Sequence, residues 1–172
     1  MKVRYNLLAF IFIGIIGALS HFVYEFSGNN KFIGYFFATN ESTWEHLKLL
    51  FFPTIVYSFI EYFLQKREIK NYIPAVIISV IIGMISIVVL FYTYKGVIGK
   101  NIDFINISIY YIGLIITLVV KNKIINSEIL SSKGASVLFI IISLIIAFLF
   151  FRFTYFPPTL AIFKRKRQIG RR

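Results

Sequence analysis

Several stretches of this chain stay apolar for close to the ~20 residues an α-helix needs to cross bilayer hydrocarbon, and no other feature narrows the possible folds as much. Cut at charge clusters and turn residues, there are five: about Tyr5–Phe26, Trp44–Leu64, Ile73–Tyr94, Phe104–Val120 and Ala135–Phe156. Backbone amides inside a bilayer must be satisfied within the protein, so runs of this length imply helices. Composition agrees: 58% of the 172 residues are hydrophobic and 15% charged, whereas soluble domains carry about 45–50% apolar and about 25% charged residues. The expected fold is all-α, a single polytopic bundle of about five transmembrane helices over residues 1–163 with a basic tail at 164–172.

A net charge of +12 would suggest nucleic acid in a soluble protein. Here Lys and Arg stand between and after the apolar runs, where they meet anionic headgroups, so the bilayer is the expected partner and nucleic acid is not. The absence of cysteine excludes disulfides, thiolate metal sites and a cysteine nucleophile. No G-x-S-x-G, P-loop or H-E-x-x-H motif occurs.

Lys2 and Arg4 before an apolar stretch, with Ala18-Leu19-Ser20 behind it, also resemble a cleavable leader. The apolar pattern nevertheless continues to Phe26, and Gly14, Gly17, Ala18, His21, Glu25 and Gly28 share one helical face, a small-residue stripe suited to close helix approach. A first span is the better reading. With the N-terminus in the cytoplasm, the inner side collects Lys2, Arg4, Lys66, Arg67, Lys70, Lys121, Lys123 and Lys133 against Lys31, Lys95 and Lys100 outside, as the positive-inside rule requires. The basic tail runs against that bias, because five crossings export it. The connection from Ser27 to Ser42 is too short to span and too apolar for a solvated loop, which suggests a re-entrant segment.

Polar residues concentrate at the first two helices. Both histidines and five of the seven acidic residues precede position 70. His21 and Glu25 are spaced i,i+4, and Glu41, Glu45 and His46 open the second helix, so a tight hairpin gathers all five at one end. Asn40 or Ser42 can cap that helix, with Ser42 and Glu45 in a capping box, and Trp44 suits the headgroup level. Capping does not explain His21 and Glu25. His21, Glu25, Glu45 and His46 have the chemistry of a divalent-metal site such as zinc, and equally of a proton or cation path. His46, Pro53, Thr54, Tyr57 and Glu61 continue a polar stripe over about 15 residues, ~22 Å, and Pro53 frees a carbonyl for Thr54, water or an ion. Glu61 is expected to face protein or, more simply, to snorkel to the inner surface. Ser79, Gly83 and Ser86, and Asn106, Tyr110, Gly113 and Thr117, read as packing seams.

The strings H-F-V-Y-E-F-S-G-N-N-K from His21, T-N-E-S-T-W-E-H-L-K-L-L-F-F-P from Thr39, S-F-I-E-Y-F from Ser58 and F-T-Y-F-P-P from Phe153 resemble a family of small bacterial polytopic membrane proteins known only as a domain of unknown function. The resemblance implies a five-helix protein of the bacterial cell membrane, chiefly Gram-positive, and no activity. It also implies a tail less basic than Lys164–Arg172, ending in an Asp and a Gly/Tyr element. Three functions fit the residues. The first is a small transport or ion/proton-pathway protein, with His21, Glu25, Glu45 and His46 as an outward-facing site and Glu61 at the inner end. The second is a metal-dependent intramembrane hydrolase of a lipid-type substrate, with the same four as ligands and Glu41 as general base. The third is an accessory protein without a site. Reporter fusions after Lys70 are expected to read cytoplasmic and fusions at Asn30 external; a cytoplasmic signal at Asn30 inverts the topology.

Overall fold

The computed structural model describes residues 3–64, 69–127 and 129–164, with side chains from Asn6 onward. Lys66, Arg67 and most of the basic tail lie outside the described residues. Six α-helices follow one another: α1 (Val3–Phe26), α2 (Lys31–Phe36), α3 (Thr43–Leu64), α4 (Tyr72–Ile98), α5 (Asp103–Ser127) and α6 (Lys133–Tyr155), then a 3-10 turn at Ala161–Phe163. Among the described residues there is no strand. Asn6–Phe26 of α1 and the whole of α3, α4, α5 and α6 are long and apolar enough to cross a membrane.

Local chemistry sets the ends. Gly28 (φ 68°) and Asn29 (φ 60°) turn the chain out of α1 in the left-handed region, which favours glycine and asparagine. The Asn30 side chain then caps α2 at the Phe32 amide, 2.8 Å. Ser42 caps α3 through the Glu45 amide, 3.3 Å, Gly99 (φ 74°) closes α4, and Ser132 caps α6 through the Ala135 amide, 3.0 Å. The C-terminal ends of α1, α4 and α6 and the N-terminal ends of α3 and α5 form one end of the bundle, called upper here. The Ser27–Ser42 connection contains α2, whose Gly34 is buried and whose Phe36 ring packs on Phe52 and Phe151 at 5.4 and 5.2 Å.

The core lies between α1, α3, α4 and α5, with Ala9, Leu50, Val80 and Leu114 fully buried. A Cβ at Gly83 would overlap the Thr117 hydroxyl and come within 2.9 Å of the Gly113 carbonyl, so α4 and α5 meet backbone to backbone, as small residues in membrane helices permit. Helix α6 is the outermost, with only Phe150 and Thr154 buried. Trp44 packs in tilted contact on Phe150 and on Phe163 of the terminal turn.

Two buried ion pairs fix α3. Near its upper end Lys48, 0% exposed, places its ammonium 2.9 Å from Glu45 Oε2, 2.9 Å from the Gly34 carbonyl, 3.4 Å from the Phe37 carbonyl and 2.5 Å from Thr154 Oγ1. At the lower end Lys121 of α5 donates to Glu61 Oε2 at 2.9 Å, and the Tyr72 hydroxyl of α4 donates to the same oxygen. This corrects two expectations. Glu61, 1% exposed, does not snorkel, because a cation and a phenol meet it inside the bundle. Lys121 belongs to no loop, and the fourth span runs on to Ser127 instead of ending at Val120.

Removing one member of such a pair strands the other charge, which costs about 3–5 kcal/mol, whereas replacing both with apolar groups of similar volume is often neutral. Glu61→Ala is therefore expected to lower thermal stability in detergent sharply, and Glu61→Leu combined with Lys121→Met to restore most of it. A double variant as unstable as the single one would show that the pair is not the source of the loss.

Candidate functional site

The capping geometry of α3 decides which acidic residue reaches the histidines. With Ser42 as the cap, Glu41 precedes the helix, and Glu45 sits in its first turn with Lys48 one turn further on. The Glu45 carboxylate is drawn to Lys48 and to Thr39, whose amide and hydroxyl bind Oε2 at 2.9 and 3.0 Å; the Thr154 hydroxyl lies 3.0 Å from Oε1. Only half of the expected capping box forms, since the Ser42 amide is taken by Asn40 Oδ1 at 2.9 Å.

Glu41 instead lies between the two imidazoles. His21 Nε2 is 3.1 Å from Glu41 Oε1, and His46 Nε2 is 3.6 Å from Glu41 Oε2. The rings stack with centroids 5.2 Å apart. One ligand atom from each residue falls within 4.8 Å of the other two. Zinc ligands at about 2.0–2.1 Å in a tetrahedron are about 3.3 Å apart, so the set, spread over up to 4.8 Å, would draw together around a metal. All three side chains are partly exposed, at 30–40%.

His46 supplies further information. Its Nδ1 lies 2.8 Å from the Ser42 carbonyl, which can only accept, so Nδ1 carries a proton. In the neutral ring Nε2 then carries a lone pair on the side of the Glu41 carboxylate, 3.6 Å away, an arrangement that a proton or a metal cation between them would favour. A backbone carbonyl behind the distal nitrogen is also how ligating histidines are commonly oriented.

Of the four ligands expected from the sequence, His21 and His46 come together and Glu25 and Glu45 do not. Glu25, a turn beyond His21, is exposed on α1, and Glu45 is held by Lys48. The i,i+4 spacing gave a shared face without saying what that face meets. Glu41, expected as a base beside the ligands, lies between the two histidines.

The cluster forms part of the wall of a cavity of about 780 Å³, between α1, α3, α4 and α5 at the upper end. Asn101, Asp103 and Asn106 line it as well, with Leu49, Ile87 and Tyr110. Deeper in the bundle the stripe expected along α3 is interrupted. The Tyr57 ring packs on Phe12, 5.5 Å between centroids, Thr54 Oγ1 is buried without a partner among the described residues, and Glu61 is engaged at the far end. Ile13, Leu50 and Leu114, each 0–1% exposed, fill the intermediate depth. The carbonyl freed by Pro53 is that of Leu49, and the Tyr110 hydroxyl lies 3.4 Å from it and 2.8 Å from the Ile13 carbonyl. Tyr110, read from the sequence as a packing residue, is thus a polar crosslink as well.

The chain matches none of the curated proteins and none of the solved structures compared with it. Residues 2–171 match the sequence profile of a family of unknown function, a range that takes in the polar strings of α1 and α3 and nearly all of the basic tail. The chain belongs to that family, DUF6512.

Proposed function

We propose that this membrane protein is built around a one-ended divalent-metal site, with His21, Glu41 and His46 as ligands and zinc as the metal they suit best, and that the metal serves hydrolysis of a lipid-type substrate. The observation that carries this reading is the His46 ring, whose Nδ1 is committed to the Ser42 carbonyl while Nε2 faces Glu41. Three protein ligands leave a fourth zinc position open toward the cavity, where such a metal can polarise a carbonyl or activate water. With the N-terminus in the cytoplasm of a bacterial cell, the cavity opens on the outer face. The His–Glu–His cluster also suits a proton relay, but an ion pathway has less support, because packed apolar side chains lie between the cluster and Glu61 and the Glu61 charge is already balanced by Lys121.

Protein purified in detergent without chelator is expected to hold about one zinc per chain by elemental analysis. His21→Ala and Glu41→Ala should each lower zinc affinity by more than the 10–100-fold typical of losing a group that only orients a ligand, while Glu25→Ala retains the metal. Zinc-free wild-type protein that also fails to bind added zinc would overturn the reading. Metal and protons compete for the imidazoles, so zinc content should fall on acidification. A third variant separates site from scaffold. Ser42→Ala removes a cap worth about 0.5–2 kcal/mol but leaves the carbonyl behind His46, so its unfolding temperature should drop with zinc retained.

A further inference from the structure

Of the three residues in the cluster, His21 and His46 stand on long helices and Glu41 on none: it belongs to the connection between α2 and α3. A segment without a helical ladder must find partners for its backbone elsewhere, and residues 37–42 find several of them in buried side chains of α3. The Phe37 carbonyl accepts from the Lys48 ammonium at 3.4 Å, and the Thr39 amide and hydroxyl both donate to Glu45 Oε2, at 2.9 and 3.0 Å. On either side of Glu41, the Asn40 side chain donates to Thr39 Oγ1 at 3.2 Å and accepts from the Ser42 amide at 2.9 Å. Glu45 and Lys48 are in turn met by one group from another helix. Thr154 Oγ1 of α6 accepts from Lys48 at 2.5 Å and lies 3.0 Å from Glu45 Oε1. Beside it the Tyr155 hydroxyl donates at 2.6 Å to the carbonyl of Lys31, where α2 starts. Thr154, Glu45 and Lys48 are all buried. None of them lines the cavity, and neither does any other described residue of α6.

We infer that Thr154, Glu45 and Lys48 are positioning residues of the cluster, and that the Thr154 hydroxyl sets from α6 where the Glu41 carboxylate stands relative to the two histidines. The inference deepens the metal reading and rests on it for the effect on zinc, whereas the placement of Glu41 holds without a metal. Glu45 uses both of its oxygens, Oε1 toward α6 and Oε2 toward Lys48 and Thr39, so its carboxylate cannot turn without releasing one side. The single proton of Thr154 has a second acceptor in the Phe150 carbonyl, 2.7 Å away, but a bond to a carboxylate paired with lysine is the stronger of the two. Hydrogen bonds chained together in a low-dielectric interior reinforce one another, so the Thr154 hydroxyl, the Glu45 carboxylate and the Thr39 amide act as a unit. Without the hydroxyl the bond to Oε1 is lost, the carboxylate gains freedom to rotate, and the Thr39 anchor two residues before Glu41 loosens. A helix that supplies no wall to the cavity thereby governs how well the cluster is assembled.

The test uses the full-length protein in detergent and measures zinc affinity, thermal stability and, in the zinc-free state, amide hydrogen exchange over residues 37–42. Thr154→Val keeps the shape and removes the hydroxyl; it should weaken zinc binding about 10–100-fold and speed exchange at the Thr39 amide. Thr154→Ser keeps the hydroxyl and should restore both. Thr39→Val, milder because the Thr39 amide stays in place, should shift both in the same direction as Thr154→Val. Glu61→Gln, at the far end of α3, controls for general destabilisation: its unfolding temperature should fall while zinc affinity and exchange over residues 37–42 stay as in the wild type. Wild-type zinc affinity in both Thr154→Val and Thr39→Val overturns the inference, as does a loss of affinity that Thr154→Ser fails to reverse or that Glu61→Gln reproduces. Exchange keeps the two readings apart. If the wild type binds no zinc while Thr154→Val, and not Glu61→Gln, speeds exchange at Thr39, the metal falls and the positioning of Glu41 stands. Bound zinc with unchanged affinity and exchange in both threonine-to-valine variants sinks the positioning alone.

Discussion

The ammonium of Lys48 constrains the upper half of the bundle more than any other group. A lysine at this depth is tolerated only if its charge is balanced and its donors are met, since an unpaired charge in an apolar interior is far costlier than any packing gain can offset. The oxygens that meet it come from α2, α3, α6 and the chain end of α2, so one side chain fixes the mutual position of three helices. Helix α2 has only six residues and too few hydrogen bonds to persist alone; it is held because its Gly34 carbonyl is a ligand of that ammonium. The lack of a side chain at Gly34 matters for the same reason, since a Cβ there would come within 2.8 Å of Thr39 and 3.0 Å of Tyr24.

The same requirement sorts the acidic residues into two kinds. Glu45 and Glu61 sit 16 residues apart on α3, ~24 Å along the axis, and each is neutralised by a lysine, so neither contributes net charge to its surroundings. Glu41 and Asp103 instead line the cavity. Lysines thus take up the two scaffold carboxylates, while Glu41 of the cavity wall is set against the two histidines. The hub and the cluster are linked through this partition: once Lys48 has taken Glu45, the carboxylate nearest the histidines is the one just outside the helix.

How much of this could be read from the sequence depends on whether the signal was local. The five long helices were legible because hydrocarbon thickness imposes a length, and a run of apolar residues either meets it or does not. The fourth helix came out too short for an instructive reason: Lys121 looks like the end of a span, and only Glu61, sixty residues away in the chain, makes it interior. His21 and His46 were legible as polar groups in apolar surroundings. The choice of Glu41 over Glu25 and Glu45 was not, because it follows from a cap and a lysine one turn on together with the packing of α2 and α6 around that lysine, and this packing is not local. The cavity depends on how α1, α3, α4 and α5 pack at the upper end, and no pattern within any one helix carries that.

The closed floor of the cavity has a local cause of its own. Pro53 cannot donate to the Leu49 carbonyl, and a bare carbonyl in the core is a place for water or an ion to bind. Tyr110 narrows that opportunity: its hydroxyl, brought from α5, donates to the Ile13 carbonyl at 2.8 Å and lies 3.4 Å from that of Leu49. It can do so because residue 17 is glycine, where any Cβ would overlap the phenol oxygen. Proline, tyrosine and glycine on three helices thus convert a defect in α3 into a crosslink at the base of the cavity, one turn of helix below His46. Polar character that could have led inward meets a hydrogen-bonded phenol there, and the His21–Glu41–His46 cluster lies on the upper side of it.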